Sequence, residues 1–156
     1  MNPIEQDHLI QKELADFRQR TVIEDTAFPR DVQTVLYSIH EHLFDPSVNV
    51  NALLDRCAIR GDRIYARFKY YLKMTIRQYL ERQRMLAAMN LLGCDELDLA
   101  PIAFSVGYAN YETFSRAFRR FVGCSPRAYR KKTSEENVKG KCQKKTSKEN
   151  INISDV

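Results

Sequence analysis

IAFSVGYANYETFSRAFRRFVGCSPRAYR, residues 102–130, divides itself into three short helices by its own punctuation. Pro101 suits the first turn of a helix that carries Ile102, Ala103 and Val106, because proline fixes φ near the helical value and lacks only an N–H that would be orphaned there. Gly107 breaks that helix. Asn110 is placed to cap the next one, about residues 111–122, where Phe114, Phe118 and Phe121 or Val122 recur at helical spacing. Ser125-Pro126 reads as the cap and first position of a last short helix ending near Arg130.

The same pattern occurs once before. Ile64 and Phe114 lie 50 residues apart, as do Phe68 and Phe118, Ile76 and Pro126, and Tyr79 and Tyr129. Leu54 aligns with Ala103 at an offset of 49, so the second turn is one residue longer than the first. Each copy is a short helix, a tight turn, a second helix and a capped third. That is the layout of a helix-turn-helix, whose second helix enters a DNA major groove.

Outside the repeat the periodicity is again helical. Residues 5–20 place Leu9, Ile10, Leu14 and Phe17 on one side. Residues 31–44 carry Val32, Val35, Leu36, Ile39 and Leu43, and Asp45-Pro46 ends the run. Asn49 is a cap for a helix holding Leu53, Leu54 and Cys57, and a helix at about 61–72 turns Ile64, Phe68 and Leu72 inward. Thr75 caps a long helix at 76–92 with Ile76, Leu80, Ala87, Ala88, Leu91 and Leu92 on its apolar face, and Gly93 is expected in a left-handed turn after it. No segment alternates with period two for the length of a strand. The expected fold is all-α: two helix-turn-helix subdomains (about 49–73 and 99–122) joined by the linking helix 76–92, within a domain spanning 31–131, after an extension of 30 residues. KKTSEEN at 131–137 returns as KKTSKEN at 144–150, and residues 132–156 hold almost no large apolar side chain, so a disordered basic tail is expected there.

Composition narrows the class. Hydrophobic residues make up 44% and charged residues 29%, as in soluble globular chains, and no apolar run approaches the ~20 residues that span a bilayer. The start, MNPIEQDHLIQKEL, lacks the basic and apolar regions of a secretory signal, so the expected location is cytoplasmic. Cys57, Cys94, Cys124 and Cys142 stand singly and away from His8, His40 and His42, so neither a metal site nor a cofactor is expected. The net charge of +5 is uneven: residues 51–92 hold 9 basic and 3 acidic groups, whereas residues 31–50 hold no basic and 3 acidic ones. A basic middle is what a phosphate-facing surface needs, though a solvated basic face has the same composition.

With these residues in place, the 102–130 segment resembles the second half of the DNA-binding domain of the AraC/XylS family of transcription regulators. The resemblance rests on Ile102-Ala103, Gly107-Tyr108, Phe114, Arg116, Phe118, Gly123, Ser125-Pro126 and Tyr129-Arg130, with Tyr79, Arg84, Ala88 and Leu92 matching in the linking helix. It extends over roughly residues 32–131. The first unit departs from it: Ala58 replaces a turn glycine, Arg60 a capping Ser, Lys73 the glycine after the helix, Ile76 a proline, and Ala66 a frequent arginine. The resemblance implies a monomer that places two recognition helices in successive major-groove faces.

Burial of positions 114 and 118 leaves Tyr111, Glu112, Ser115 and Arg116 on the outer face of the second recognition helix. The resemblance implies that these reach base edges and flanking phosphates. Glu112 can accept from a cytosine amine, Arg116 can donate to guanine or phosphate, and Tyr111 can pack on a thymine methyl. Arg119, Arg120 and Arg127 are phosphate candidates or surface charge. In the first unit Asp62 and Tyr65 are base candidates, and Arg60, Arg63 and Arg67 form a basic stripe that, with Lys69, suits phosphate clamping. That unit is expected to anchor more than to read.

The leading expectation is therefore a sequence-specific transcription regulator that binds double-stranded DNA. RNA polymerase or a companion regulator is the further partner class, and the roughly 30 residues before the first core helix are too few for an effector-binding domain. The alternative is an architectural or interaction protein that binds DNA nonspecifically and docks on something else through residues 5–20. No catalytic residue is expected, because none of the cysteines has the neighbours that activate a thiolate for alkyl transfer.

Overall fold

Asn49, Thr75 and Asn110 each begin a helix by accepting a backbone N–H three residues on: Ala52 N at 3.0 Å, Gln78 N at 3.2 Å and Thr113 N at 2.8 Å. Gln78 returns the bond to Thr75 N at 2.9 Å, completing a capping box. Ser125 Oγ accepts from Ala128 N at 3.2 Å. The computed structural model describes residues 1–21 and 27–139, and these form α1 (Pro3–Arg20), α2 (Arg30–Glu41), α3 (Val50–Arg56), α4 (Arg63–Leu72), α5 (Ile76–Leu92), α6 (Leu99–Ser105), α7 (Tyr111–Val122) and α8 (Pro126–Lys139). There is no strand among the described residues.

Helix α5 is the axis of the molecule. It packs against α4 of the first unit and against α6, α7 and α8 of the second, and α1 lies across α5 and α6. Ile64, Phe68, Phe114 and Phe118 are all essentially inaccessible to solvent. The two copies repeat each other in detail. Phe68 and Tyr79 meet edge to face with centroids 5.8 Å apart, and Phe118 and Tyr129 do so at 5.6 Å. Ile59 N bonds Leu54 O at 3.0 Å, as Tyr108 N bonds Ala103 O at 3.1 Å. The same side chains close the same turns twice.

The turns differ in strain. Gly107 and Gly123 sit at φ near 90°, where a side chain is disfavoured. Their counterparts Ala58 (φ 52°) and Lys73 (φ 57°) hold the left-handed conformation without being glycine. Each costs roughly 1–2 kcal/mol against the right-handed alternative. Lys73 recovers part of this by placing Nζ 4.9 Å from the Tyr70 ring centroid. Gly93, expected to be left-handed, is instead right-handed at φ −69°. There the chain tightens with bonds from Gly93 N to Asn90 O and from Cys94 N to Leu91 O, which needs no inverted residue.

Two further expectations are corrected. Helix α8 runs on to Lys139, so residues 132–139 are helical and not disordered; residues 140–156 lie outside the described residues. Thr133 Oγ1 donates to Arg130 O at 2.8 Å, and Ser134 Oγ donates to Asp95 Oδ1 at 2.6 Å, tying the extra turns to the loop before α6. Helix α1 covers this chain's own core. Ile10, Leu14 and Phe17 are buried in it, Phe17 meets Phe44 at 6.3 Å, and the Arg18 guanidinium lies 5.0 Å from the Phe44 ring. Its apolar face is thus unavailable to an outside partner.

A half-buried His40 lies on α2 with Nε2 2.9 Å from the Tyr79 hydroxyl. Burial, reinforced by the Arg18 charge, lowers its pKa from 6.5 to about 4. Its Nδ1 is buried without a partner, consistent with a neutral ring.

Ala58→Gly is expected to raise unfolding free energy by about 1 kcal/mol. Lys73→Gly should gain less, because it gives up the Tyr70 contact; urea unfolding of both variants measures the difference. His40 predicts a pH dependence. Its folded pKa lies below the unfolded value, so the unfolded chain takes up the proton first, and stability falls as pH drops from about 6.5 to 4, by up to about 3 kcal/mol. His40→Gln, which keeps a donor for Tyr79, should flatten that slope in denaturation at pH 7 and pH 4.5.

Candidate nucleic-acid interface

Helix α7 separates its faces sharply. Phe114, Ala117 and Phe118 are buried, and Glu112, Thr113, Arg116, Arg119 and Arg120 are exposed. Phe114 is gripped from both sides, by Tyr108 at 5.6 Å and Phe118 at 5.6 Å, so rotation of the helix about its axis is fixed by packing. Glu112 stands in the first turn, at the positive end of the helix dipole. Arg116 follows it by one turn on the same side and makes no ion pair among the described residues.

The other predicted residues of this unit are less uniform. Tyr111 is half-buried, its ring 6.1 Å from that of Phe114, so only part of it faces outward. Ser115 is also half-buried. Arg120 is held by Glu81 of α5 in a short ion pair, which ties the recognition helix to the linking helix. Arg119 and Arg127 are exposed. Thr113, exposed between Glu112 and Arg116, was absent from the predicted set; its spacing of three from Arg116 was the available signal.

In the first unit Ile64, Phe68 and Leu72 turn inward, and Arg63, Tyr65, Ala66 and Lys69 are exposed along α4. Arg60 is exposed in the turn before it. Asp62 occupies the capping position, yet its side chain makes no capping bond, leaving the carboxylate outward. Arg67 leaves the stripe: its Nη1 lies 3.1 Å from Asp31 Oδ2 on α2, and both are partly covered. Arg60, Arg63 and Lys69 remain as exposed cations without an ion pair among the described residues, and a phosphate backbone can meet such charges.

A charged side chain lies at the junction of the two units. Arg84 of α5 is 8% exposed; it donates from Nε to Leu43 O at 2.8 Å, from Nη2 to Asp45 O at 2.9 Å and from Nη1 to Gly107 O at 3.3 Å. A Cβ on Gly107 would stand 2.9 Å from Arg84 Cζ, so a side chain here would press on the guanidinium, and φ near 90° disfavours one in any case. Beside it, burial and the Glu81 carboxylate push the Tyr108 hydroxyl up to about 12. No group of His, Cys, Asp and Glu among the described residues could hold a metal, and no described helix is long and apolar enough to cross a membrane.

The chain is similar to several known proteins. The transcriptional activator RhaS of Escherichia fergusonii is 36% identical over 90 residues, which cover 58% of this chain and 32% of that protein. The regulatory protein SoxS of Salmonella typhimurium is 29% identical over 99 residues, 64% of this chain and 92% of that one. The first of these relatives is typical of several: the chain spans about a third of their length. The DNA-binding domain of the global transcriptional factor AdpA, solved in complex with a target DNA, superposes with a TM-score of 0.64 at 26% identity, covering 72% of this chain and 100% of that domain. A helix-turn-helix domain family profile matches residues 53–132, just over half of the chain and both recognition helices. The chain belongs to this helix-turn-helix domain family, in its AraC/XylS type.

Proposed function

We propose that this chain is a sequence-specific regulator of transcription that reads double-stranded DNA with α7 and anchors on it with α4. The observation that carries this is the outer face of α7, where Glu112, Thr113 and Arg116 project from a helix locked by two buried phenylalanines. A rigid helix with an acceptor and a forked donor one turn apart suits major-groove edges, which present both amines and carbonyls. In this reading Glu112 and Arg116 read bases, with Ser115 and the outer edge of Tyr111 beside them. Arg119 and Arg127 meet phosphates. Arg120, engaged by Glu81, serves the scaffold first.

On α4, Arg63 and Lys69 meet phosphates and Arg60 flanks them, while Arg67 is committed to Asp31. Asp62 and Tyr65 are left as the base contacts of a unit that otherwise carries only nonspecific charge. The printed names of RhaS and SoxS, an activator and a regulatory protein, support a role in transcription. Contact with RNA polymerase or a companion regulator would accompany that role.

Selection of bound sequences from a random duplex pool tests the reading. A recovered motif supports it; uniform binding with steep salt dependence would instead favour an architectural protein. Against the selected site, Arg116→Ala should cost roughly 1–3 kcal/mol of affinity and relax preference at one base pair. Lys69→Ala should weaken binding to every sequence alike and reduce the slope of log K against log salt by about 1. Competition titrations at several salt concentrations separate the two.

A further inference from the structure

The linking helix does more than separate the two units. Arg84 is the place on α5 where one side chain bonds both the turn that leads into the first unit and the turn inside the second. Two of its bonds go to Leu43 and Asp45, in the turn between α2 and α3, and the third goes to Gly107, in the turn between α6 and α7. Both ends of this bridge are held by further contacts. Asp45 Oδ1 accepts from Ser47 N at 2.9 Å and from Ser47 Oγ at 2.6 Å, and Phe44 between the two acceptors is held by Phe17 and Arg18 of α1. Gly107 stands at φ 90° directly before Tyr108, whose ring packs on Phe114 of α7. One turn before Arg84, Glu81 holds Arg120 of α7 from the same linking helix.

We infer that Arg84 is a positioning residue for DNA recognition: it fixes the angle between α4 and α7 so that both enter one duplex together. This rests on the reading of the chain as a two-unit DNA binder. The planar guanidinium carries donors in a fixed fork, so it holds three carbonyls at set directions, which a lysine ammonium on a flexible stem does not. Gly107 is the matching element, because any Cβ there would enter the space of the guanidinium. The functional consequence is thermodynamic. Two linked contacts add avidity only when geometry permits both at once.

The test compares wild type, Arg84→Lys and Gly107→Ala on a duplex bearing the complete selected site, a shorter duplex that ends after the α7 half-site and so offers α4 no backbone, and the complete site with one base pair inserted between the halves. Circular dichroism at the assay temperature first verifies the helix content of each variant. Wild type should prefer the complete site and lose that preference on insertion. Arg84→Lys should bind the isolated half-site within about twofold of wild type, lose about tenfold or more on the complete site, and become indifferent to the insertion. Gly107→Ala should follow it. Equal loss on all three duplexes, or wild-type binding to the complete site, would overturn the positioning role. A wild-type protein with no preference for the complete site would overturn the two-unit reading beneath it, and the two failures are distinguished by which protein shows them.

Discussion

Taking a guanidinium out of water costs several kcal/mol unless its donors are met, and Arg84 meets that cost with three main-chain carbonyls. Burial pulls its pKa downward, while Tyr108, Asp45 and Glu81 favour the charge. Carbonyl acceptors bring no side-chain entropy, so the bridge is as stiff as the turns that supply them. One turn leads into the first unit and the other lies inside the second. What would otherwise be two small helical units on a shared rod becomes one body with a defined internal angle.

The duplication was retained in the packing and relaxed in the backbone. Phe68 with Tyr79 and Phe118 with Tyr129 meet in the same edge-to-face geometry, and the hydrogen bonds that close the turns are equivalent. Ala58 and Lys73 nonetheless hold left-handed conformations that glycine holds in the second copy. The fold imposes these angles because Ile64 and Phe68 must face the core whatever residue follows. The first unit is therefore strained without being misfolded. Its outer face has thinned as well, through Ala66 and through the capture of Arg67 by Asp31.

Charge on this surface divides into two groups by partner and not by position along the chain. Arg67 and Arg120 are drawn toward Asp31 and Glu81 and stitch elements together. Arg63, Lys69, Arg116 and Arg119 are left exposed on α4 and α7. The same residue types thus serve cohesion within the protein and attraction toward a polyanion. Helix α1 adds cohesion of another kind, closing the apolar surface between α5 and α6 with Ile10, Leu14 and Phe17.

Much of this was legible in the residues because helix formation is governed by neighbours within about four positions. Asn49, Thr75 and Asn110 announce their helices, the spacing of Phe114 and Phe118 orients α7, and the fifty-residue echo between Ile64-Phe68 and Phe114-Phe118 reveals the two units. Glu112 and Arg116 could be placed outward from that spacing alone. The tertiary structure decided what depends on groups distant along the chain. The acceptors of Arg84 lie 41, 39 and 23 residues away, and Glu81 lies 39 residues from Arg120. The anchoring of α8 by Asp95 and the docking of α1 have the same origin. A local pattern fixes which side of a helix is apolar. Only the packed molecule fixes which ion finds a partner, because that is settled by which surfaces the core brings together.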